Sequence, residues 1–348
     1  MRRSAMASKL KRLILQVAAG VLYYTGAFRL RLYFRRAVLH KREICVLGLH
    51  RVLSPEEEAQ ANSLPGIVLR EATFAQMLEF IKRHYRVVSL PEFLGEIEDD
   101  GDRSLPCCLL TFDDGWRDNY TTAYPLLKKS GVGGVIFLIT GLVGGSETFW
   151  VERLKRACSD PSRWQRIKEC YQHSLGTQCH GVDFDEIVES LKHMSAKERG
   201  KVLAGLLSQD AKEDSARNGD RMLEWEEVAA MQREGIEFEA HTVTHPLLVY
   251  EDEACVRREL VASRQVIEAR LGKKVRAFAY PNGTWNEKVR NIVRECGYEC
   301  AFTTERGWYS LGKDRFTIPR ILLHEAQVAG INGRFSPALL SLRLSGWR

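Results

Sequence analysis

Two acids stand side by side in Thr111-Phe112-Asp113-Asp114-Gly115, at the end of a short apolar run that begins at Cys107. Adjacent carboxylates in a half-buried place repel one another unless a cation or a proton separates their roles. A metal site with one acid as ligand and the other as base would resolve that conflict; a solvated Asp-Asp-Gly turn is the plainer alternative. A second unusual stretch, His241-Thr242-Val243-Thr244-His245-Pro246, directly follows another apolar run. Two histidines four residues apart can present their rings to one side if the segment turns helically, which suits a divalent metal. No glutamate follows His241, so the zinc-protease pattern is absent and a general base must come from elsewhere in the chain.

The segments that would position these residues alternate in type. Short apolar runs predict strands at Ile44–Leu49, Val87–Leu90, Cys107–Phe112, Val135–Thr140, Ile236–Ala240, Val275–Tyr280, near Ala301–Thr304 and at Ile318–Leu323. Amphipathic periodicity predicts helices at Thr73–His84, Asn119–Lys129, Glu224–Glu234, Glu251–Leu271 and Asn286–Cys296. Strands alternating with helices in this way argue for a parallel α/β architecture, a closed or distorted (β/α) barrel. Active sites gather at the strand ends of such barrels, and both unusual motifs follow predicted strands, which strengthens the metal reading. From about Phe149 to Arg221 the alternation stops, and helix-length segments such as Phe184–His193 and Lys197–Leu207 predict a helical insertion. It is either a passive excursion or a lid that shapes the substrate site.

With 348 residues, 45% of them hydrophobic, the chain can bury a sizeable core. The net charge of +6 is modest, and the first acid is Glu43, so the basicity belongs to the N-terminal arm. No base-stacking or groove-reading motif accompanies it, which argues against a nucleic-acid partner. Nine cysteines without CxxC spacing read as reduced thiols of a cytoplasmic protein or one at the cytoplasmic face of the inner membrane, with envelope export left open. Within the arm, Leu13–Phe28 is largely apolar and flanked by Lys9, Lys11, Arg12, Arg29, Arg31, Arg35 and Arg36. That is short of the roughly 20 apolar residues a spanning helix needs. The tyrosines Tyr23 and Tyr24 and the cationic flanks suit a helix lying on an anionic membrane surface, with contact through residues 9–36. A packed amphipathic helix and a cleaved signal are the alternatives.

The two motifs resemble the first two motifs of the polysaccharide deacetylase family, carbohydrate esterase family four. Leu49-His50-Arg51-Val52, Tyr85 to Leu90, Phe149-Trp150, Phe278 to Gly283 and Ile318-Pro319-Arg320 are similar to a bacterial branch of it associated with exopolysaccharide synthesis. The resemblance runs from about Ile44 to Leu323. It implies a deacetylase barrel over 44–325, carrying the insertion at about 149–221, between an arm at 1–43 and a tail at 326–348. It further implies that Asp114, His241 and His245 bind a divalent metal, usually zinc, and that Asp113 is the general base. The family's third motif, usually Arg-x-Pro-Tyr-Gly, supplies a backbone N–H for the oxyanion; here the sequence is Ala279-Tyr280-Pro281-Asn282-Gly283, which gives that role to Asn282. The arginine that would orient the base is missing, and Arg320 is the candidate substitute, a structural salt-bridge arginine being the alternative. The general acid is expected to be His50, as in the rearranged deacetylases that act on poly-N-acetylglucosamine, with His324, which resembles the usual C-terminal Leu-x-His motif, as the alternative.

The expected activity is metal-dependent removal of acetyl groups from amino sugars of a polysaccharide or its precursor. The expected partner is an N-acetylated glycan or a lipid-linked sugar. A deformylase or deacylase of a membrane lipid-linked sugar is one alternative, and a non-catalytic carbohydrate-binding protein is another. His84, His173, His180 and His193 read as surface or lid residues. Trp150 and Trp225 could stack on sugar faces but are more often core.

Overall fold

The chain's first strand, β1 (Glu43–Leu49), is buried at every position after Glu43. Such continuous burial is what a strand covered on both faces requires, and it is the rule in parallel sheets flanked by helices. The computed structural model describes residues 2–34, 43–98, 105–145, 149–175, 183–207 and 220–346. Arg35, Arg36 and His180, parts of the predicted insertion (176–182 and 208–219) and the last two residues lie outside the described residues.

After β1 come β2 (Arg51–Leu53), β3 (Val68–Arg70), β4 (Arg86–Val87), β5 (Cys107–Phe112), β6 (Val135–Leu138), β7 (Glu237–Ala240), β8 (Ala277–Ala279), β9 (Cys300–Phe302), β10 (Tyr309–Ser310) and β11 (Ile321–Leu322). β2 and β3 pair with each other; the main sheet runs β10-β1-β5-β6-β7-β8-β9, with β4 on β5 and β11 on β1. All its pairings except β1 with β10 are parallel. Beyond β9 a single parallel bridge joins Phe302 to Ile318, and the chain then enters β11 beside Leu47 and Gly48 of β1. The sheet thus curls back onto its first strand as a distorted (β/α) barrel with an irregular seam.

Strands are shorter than the apolar runs predict where the chain leaves the sheet early, at the seam and elsewhere. Ile318–Leu323 is broken by Pro319, and the Arg320 N–H donates to the Glu305 carbonyl at 2.9 Å instead of to a sheet neighbour. Val275–Tyr280 shrinks to β8 at both ends: the Arg276 N–H donates to Glu239 Oε2 at its start, and Pro281 turns the chain after its end. Val87–Leu90 is a strand only to Val87: Ser89 and Glu92 hydrogen-bond to each other and to each other's N–H, a capping box that starts the helix Leu90–Glu98. The predicted helix Asn119–Lys129 opens as a π-turn over Asn119–Ala123 before Tyr124–Ser130.

Period-two alternation divides each strand between two apolar layers. Ile44, Val46, Leu109, Phe137, Ala277 and Phe302 fill the barrel interior. Cys45, Leu47, Leu110, Phe238 and Ile321 pack under the surrounding helices with Phe74 and Met77. Continuing the interior parity past the strand ends reaches His50 after β1, Asp113 after β5 and His241 after β7. Arg320 and His324 share the parity of Ile318, another interior residue. These five therefore converge over one mouth of the barrel.

Between β6 and the helix Trp225–Arg233, the helices Trp150–Cys158, Pro161–Leu175, Phe184–Lys192 and Ala196–Leu207 surround a separate core that includes Leu154, Ile167, Tyr171, Ile187, Leu191 and Leu206. The arm forms two helices, α1 (Arg2–Tyr24) and α2 (Ala27–Tyr33). The segment 326–346 is more than a tail: it contains the helix Pro337–Leu344, on which α1 rests through Ala19 against Ala338 and Leu339.

Candidate active site

Asp113 follows β5, and its N–H donates to the Leu49 carbonyl at 2.9 Å, fixing it beside the end of β1. Arg320 grips it with both arms of the guanidinium: Nη1 donates to Oδ1 and Nη2 to Oδ2, each at 2.7 Å. Nη1 also reaches Thr111 Oγ1 at 3.2 Å, and Nε donates to the Thr303 carbonyl at 2.9 Å. Arg320 is fully buried and Asp113 nearly so. Gly48 makes room for Leu322 beside this arginine, since a β-carbon there would strike Leu322 Cδ2. Burial alone would raise the Asp113 carboxyl, but the Arg320 charge and its hydrogen bonds override it and hold the group well below the usual carboxylate range. Asp113 is therefore ionised, oriented and rigid. His50 Nε2 lies 3.9 Å from Asp113 Oδ2, and the His50 carbonyl accepts from Asn119 Nδ2 at 2.8 Å. His324 enters the same end of the barrel from β11, where the Leu323 N–H donates to the Gly48 carbonyl, and its Nδ1 is buried without a partner.

Asp114, one residue on, turns the other way. Its Oδ1 lies 3.6 Å from His241 Nε2 and 3.7 Å from His245 Nε2, the two imidazole nitrogens being 3.2 Å apart. One ligand atom from each of the three residues fits within 4.8 Å of the others. In two of these groups the other polar atom is already engaged. His241 Nδ1 donates to the Ala279 carbonyl at 2.7 Å, which leaves the Nε2 lone pair free, and Trp116 Nε1 donates to Asp114 Oδ2 at 3.0 Å, which leaves Oδ1 free. Burial pushes both imidazoles below their ordinary value, His245 further with the help of His241 and the Arg199 cation. A carboxylate oxygen and two neutral imidazoles form a donor set that fits a divalent metal and leaves coordination positions for other ligands.

The backbone is bent to make this arrangement. Among the described residues, Asp114, Thr242, His245 and Asn282 are the non-glycine residues with positive φ, at 76°, 69°, 56° and 55°. All four lie in the three motifs of the site, where such strain commonly collects. Asn282 leaves its own N–H without an acceptor among the described residues, at the end of the strand whose Ala279 holds His241. Gly283 is obligatory beside it: φ is +70°, and a β-carbon would collide with the Thr304 backbone nitrogen.

The sequence profile described as polysaccharide deacetylase matches residues 100–301, more than half of the chain. The chain belongs to the polysaccharide deacetylase family. This family member is similar to a Bacillus subtilis protein of the same family, YxkH, at 22% identity over 237 residues, 68% of this chain and 58% of the relative. It is also similar to the poly-beta-1,6-N-acetyl-D-glucosamine N-deacetylase of Staphylococcus aureus, at 20% identity over 256 residues, 73% of this chain and 67% of the relative. The chain thus spans 58% of the length of the first of these relatives. In fold it is similar to the Streptococcus pyogenes deacetylase PplD solved in complex with acetate, with a TM-score of 0.57 and 21% identity over 88% of this chain and 99% of that one.

Several residues that steady this candidate site carry no structural role assigned from sequence. Arg51 is 2% exposed and donates to Asp118 Oδ2 at 2.8 Å and Asp220 Oδ1 at 2.9 Å, while its guanidinium covers the Trp116 ring at 4.4 Å. It thereby clamps the indole that holds Asp114. Glu259, on the helix Glu253–Leu271, accepts from the Val243 and Thr244 N–H groups at 2.7 and 3.0 Å and pins the turn between the histidines. From the insertion, Phe149 sets its ring edge-on to His245 with centroids 5.0 Å apart, and Arg199 lies 5.3 Å over the Trp150 ring. Glu152, 2% exposed on the same helix, has its carboxyl raised to about 8, by burial first and then by the Asp114 and Asp220 charges against the pull of Arg51. Trp225 is partly buried against the main core. The Trp116 contact carries a prediction: Trp116→Phe keeps the ring under Arg51 but deletes the N–H, and is expected to weaken metal binding by about 10–100-fold. Metal titration alongside a thermal melt checks it, the melt separating loss of the hydrogen bond from loss of the fold.

Proposed function

We propose that this chain removes acetyl groups from N-acetylated amino sugars of a polysaccharide or its precursor by metal-dependent hydrolysis. The observation that carries this reading is the division of labour between adjacent acids. Asp113 is clamped by Arg320 over the barrel mouth, while Asp114 faces His241 and His245. Asp114 Oδ1 and the two Nε2 atoms would hold a divalent metal, zinc by the family resemblance, which when bound polarises an amide carbonyl and acidifies water.

The chain's own groups have the following parts. Asp113 accepts a proton from the attacking water as the water oxygen bonds to the acetyl carbon. Arg320 keeps that carboxylate in one orientation, so that the proton acceptor is in place before substrate arrives. The free N–H of Asn282 donates to the carbonyl oxygen as it becomes an oxyanion. His50 donates a proton to the sugar nitrogen as the carbon–nitrogen bond breaks, yielding acetate and a free amine. His50 is preferred to His324 because it stands beside Asp113.

Acetate release from N-acetylated oligosaccharides, free and lipid-linked in separate arms, is the test. Chelation is expected to abolish it and added divalent metal to restore it; turnover unchanged by chelation would overturn the reading. His50→Ala is expected to lower kcat by about 10²–10⁴-fold, the usual worth of a positioned proton donor. His324→Ala should cost less than ten-fold. The reverse ranking transfers the acid role to His324.

A further inference from the structure

Exposed large apolar side chains are concentrated in one place on this protein. Of the fifteen among the described residues, ten lie between Leu10 and Phe34. On α1, Leu10, Leu13, Ile14, Val17, Val21 and Tyr24 follow the i, i+3, i+4, i+7 spacing of a single helix side, with Ile14 60% and Tyr24 87% exposed. The opposite side is occupied by the body of the protein. Arg12 Nη2 donates to the Ala329 carbonyl at 3.1 Å, Gln16 Oε1 accepts from the Ile331 N–H at 2.8 Å, and Ala19 is buried. α2 repeats the division: Phe28 is buried and Arg31 Nε donates to the Ser345 carbonyl at 2.9 Å, while Leu30, Tyr33 and Phe34 are exposed.

These contacts decide how the apolar stripe can be used. Among the described residues no single helix is long and apolar enough to cross a membrane; Leu10–Tyr24 and α2 together have the length and composition of a span but are bent by 62° at the break between them. Surrounding α1 with lipid would break the hydrogen bonds made from its middle, whereas laying its outer side on a surface breaks none. The charge selects the surface. Residues 1–42 contain eleven Lys and Arg and no Asp or Glu. Seven of them belong to α1 and α2, and like charges there oppose pairing of two copies through these helices and attract an anionic surface.

We propose that α1 and α2 form a docking face for an anionic lipid bilayer, with the apolar stripe inserted at the headgroup level and the cations among the phosphates. Docking is independent of turnover and is read without it. The full chain is mixed with sedimentable vesicles of phosphatidylglycerol and phosphatidylcholine, or of phosphatidylcholine alone, and the bound fraction is measured. Binding to the anionic vesicles is expected to exceed that to the neutral ones by at least ten-fold and to weaken with salt. Leu13→Glu, Val17→Glu and Val21→Glu together should reduce it at least ten-fold with the thermal melt unchanged. If that variant fails to fold, Lys11→Glu with Arg29→Glu, which leaves the stripe intact, should still abolish the anionic preference. Absence of vesicle binding, or equal binding to both compositions, overturns the proposal. So does a concentration-dependent dimer that the triple substitution dissolves while vesicles bind neither form.

Discussion

Asp114→Ala is expected to abolish acetate release, with kcat/KM falling by at least about 10³-fold, and to lower metal affinity by at least about 10²-fold. The size of the effect follows from the small number of donors. Removing Asp114 leaves two imidazoles, and it removes the only negative charge among the three proposed ligands. The substitution also places alanine at φ 76°, which costs about 1–2 kcal/mol of its own. Asp114→Asn is therefore the companion: asparagine tolerates that conformation and can still accept from Trp116 Nε1, while the charge is gone. Both variants should lose metal and activity, and the asparagine variant should melt close to the parent. Metal content by elemental analysis, read beside turnover, is the check, and wild-type metal with full turnover in either variant would remove Asp114 from the site.

Arg320→Met is expected to be the most destabilising single change at the barrel mouth, by about 3–5 kcal/mol, because it leaves a buried carboxylate unpaired. Activity should fall with it by about 10²-fold or more, since Asp113 loses both its orientation and its ionisation. The pH dependence distinguishes this from a packing defect. In the parent, the folded Asp113 titrates below its unfolded value, so its contribution is fully present above about pH 4 and is lost as pH falls through the folded value. Without Arg320, burial is opposed only by the smaller pull of His241 and His50, and the folded value is expected to rise above the unfolded one. The sign then reverses, and stability declines as pH rises toward the new value. The acid limb of the activity profile should move up by the same cause. Denaturant melts from pH 4 to 8 and a pH–rate profile measure both. A variant whose melts shift uniformly at every pH would reduce Arg320 to packing.

Much of this arrangement can be read from residue order alone. The apolar runs before Asp113 and His241 identify strands, and alternation then carries both side chains to the barrel interior without any knowledge of their partners. The spacing of His241 and His245 suggests a metal turn, although that turn is shaped by positive φ at Thr242 and His245 more than by helix. Other features depend on contacts that spacing does not encode. Arg51 meets Asp118 and Asp220 across 67 and 169 residues, and nothing near Arg51 signals either partner. Glu259 looks like one more charge on a long helix until the turn it pins is folded above it. Phe149 and Trp150 could be noticed as aromatics at an insertion, but not as a wall on His245 and a seat for Arg199. At β11 the difference has a local cause: the apolar run Ile318–Leu323 predicts one strand, and its interruption by Pro319 is what frees Arg320 to leave the sheet.

The Arg320 clamp also bears on when the protein becomes competent during synthesis. Arg320 follows Asp113 by 207 residues, and β1 closes the barrel only by pairing with β11, which is made later still. At elongation rates of about 5–20 residues per second, a ribosome takes roughly 10–40 s to supply the arginine after the aspartate. Until then the nascent chain holds both acids, without the cation that keeps Asp113 charged when buried, and cannot complete the barrel mouth. Such distant pairing is slow to form and exposes strand edges while it waits. The nascent chain therefore carries unpaired strand edges through this interval, and the barrel mouth is complete only after the last strand has been delivered.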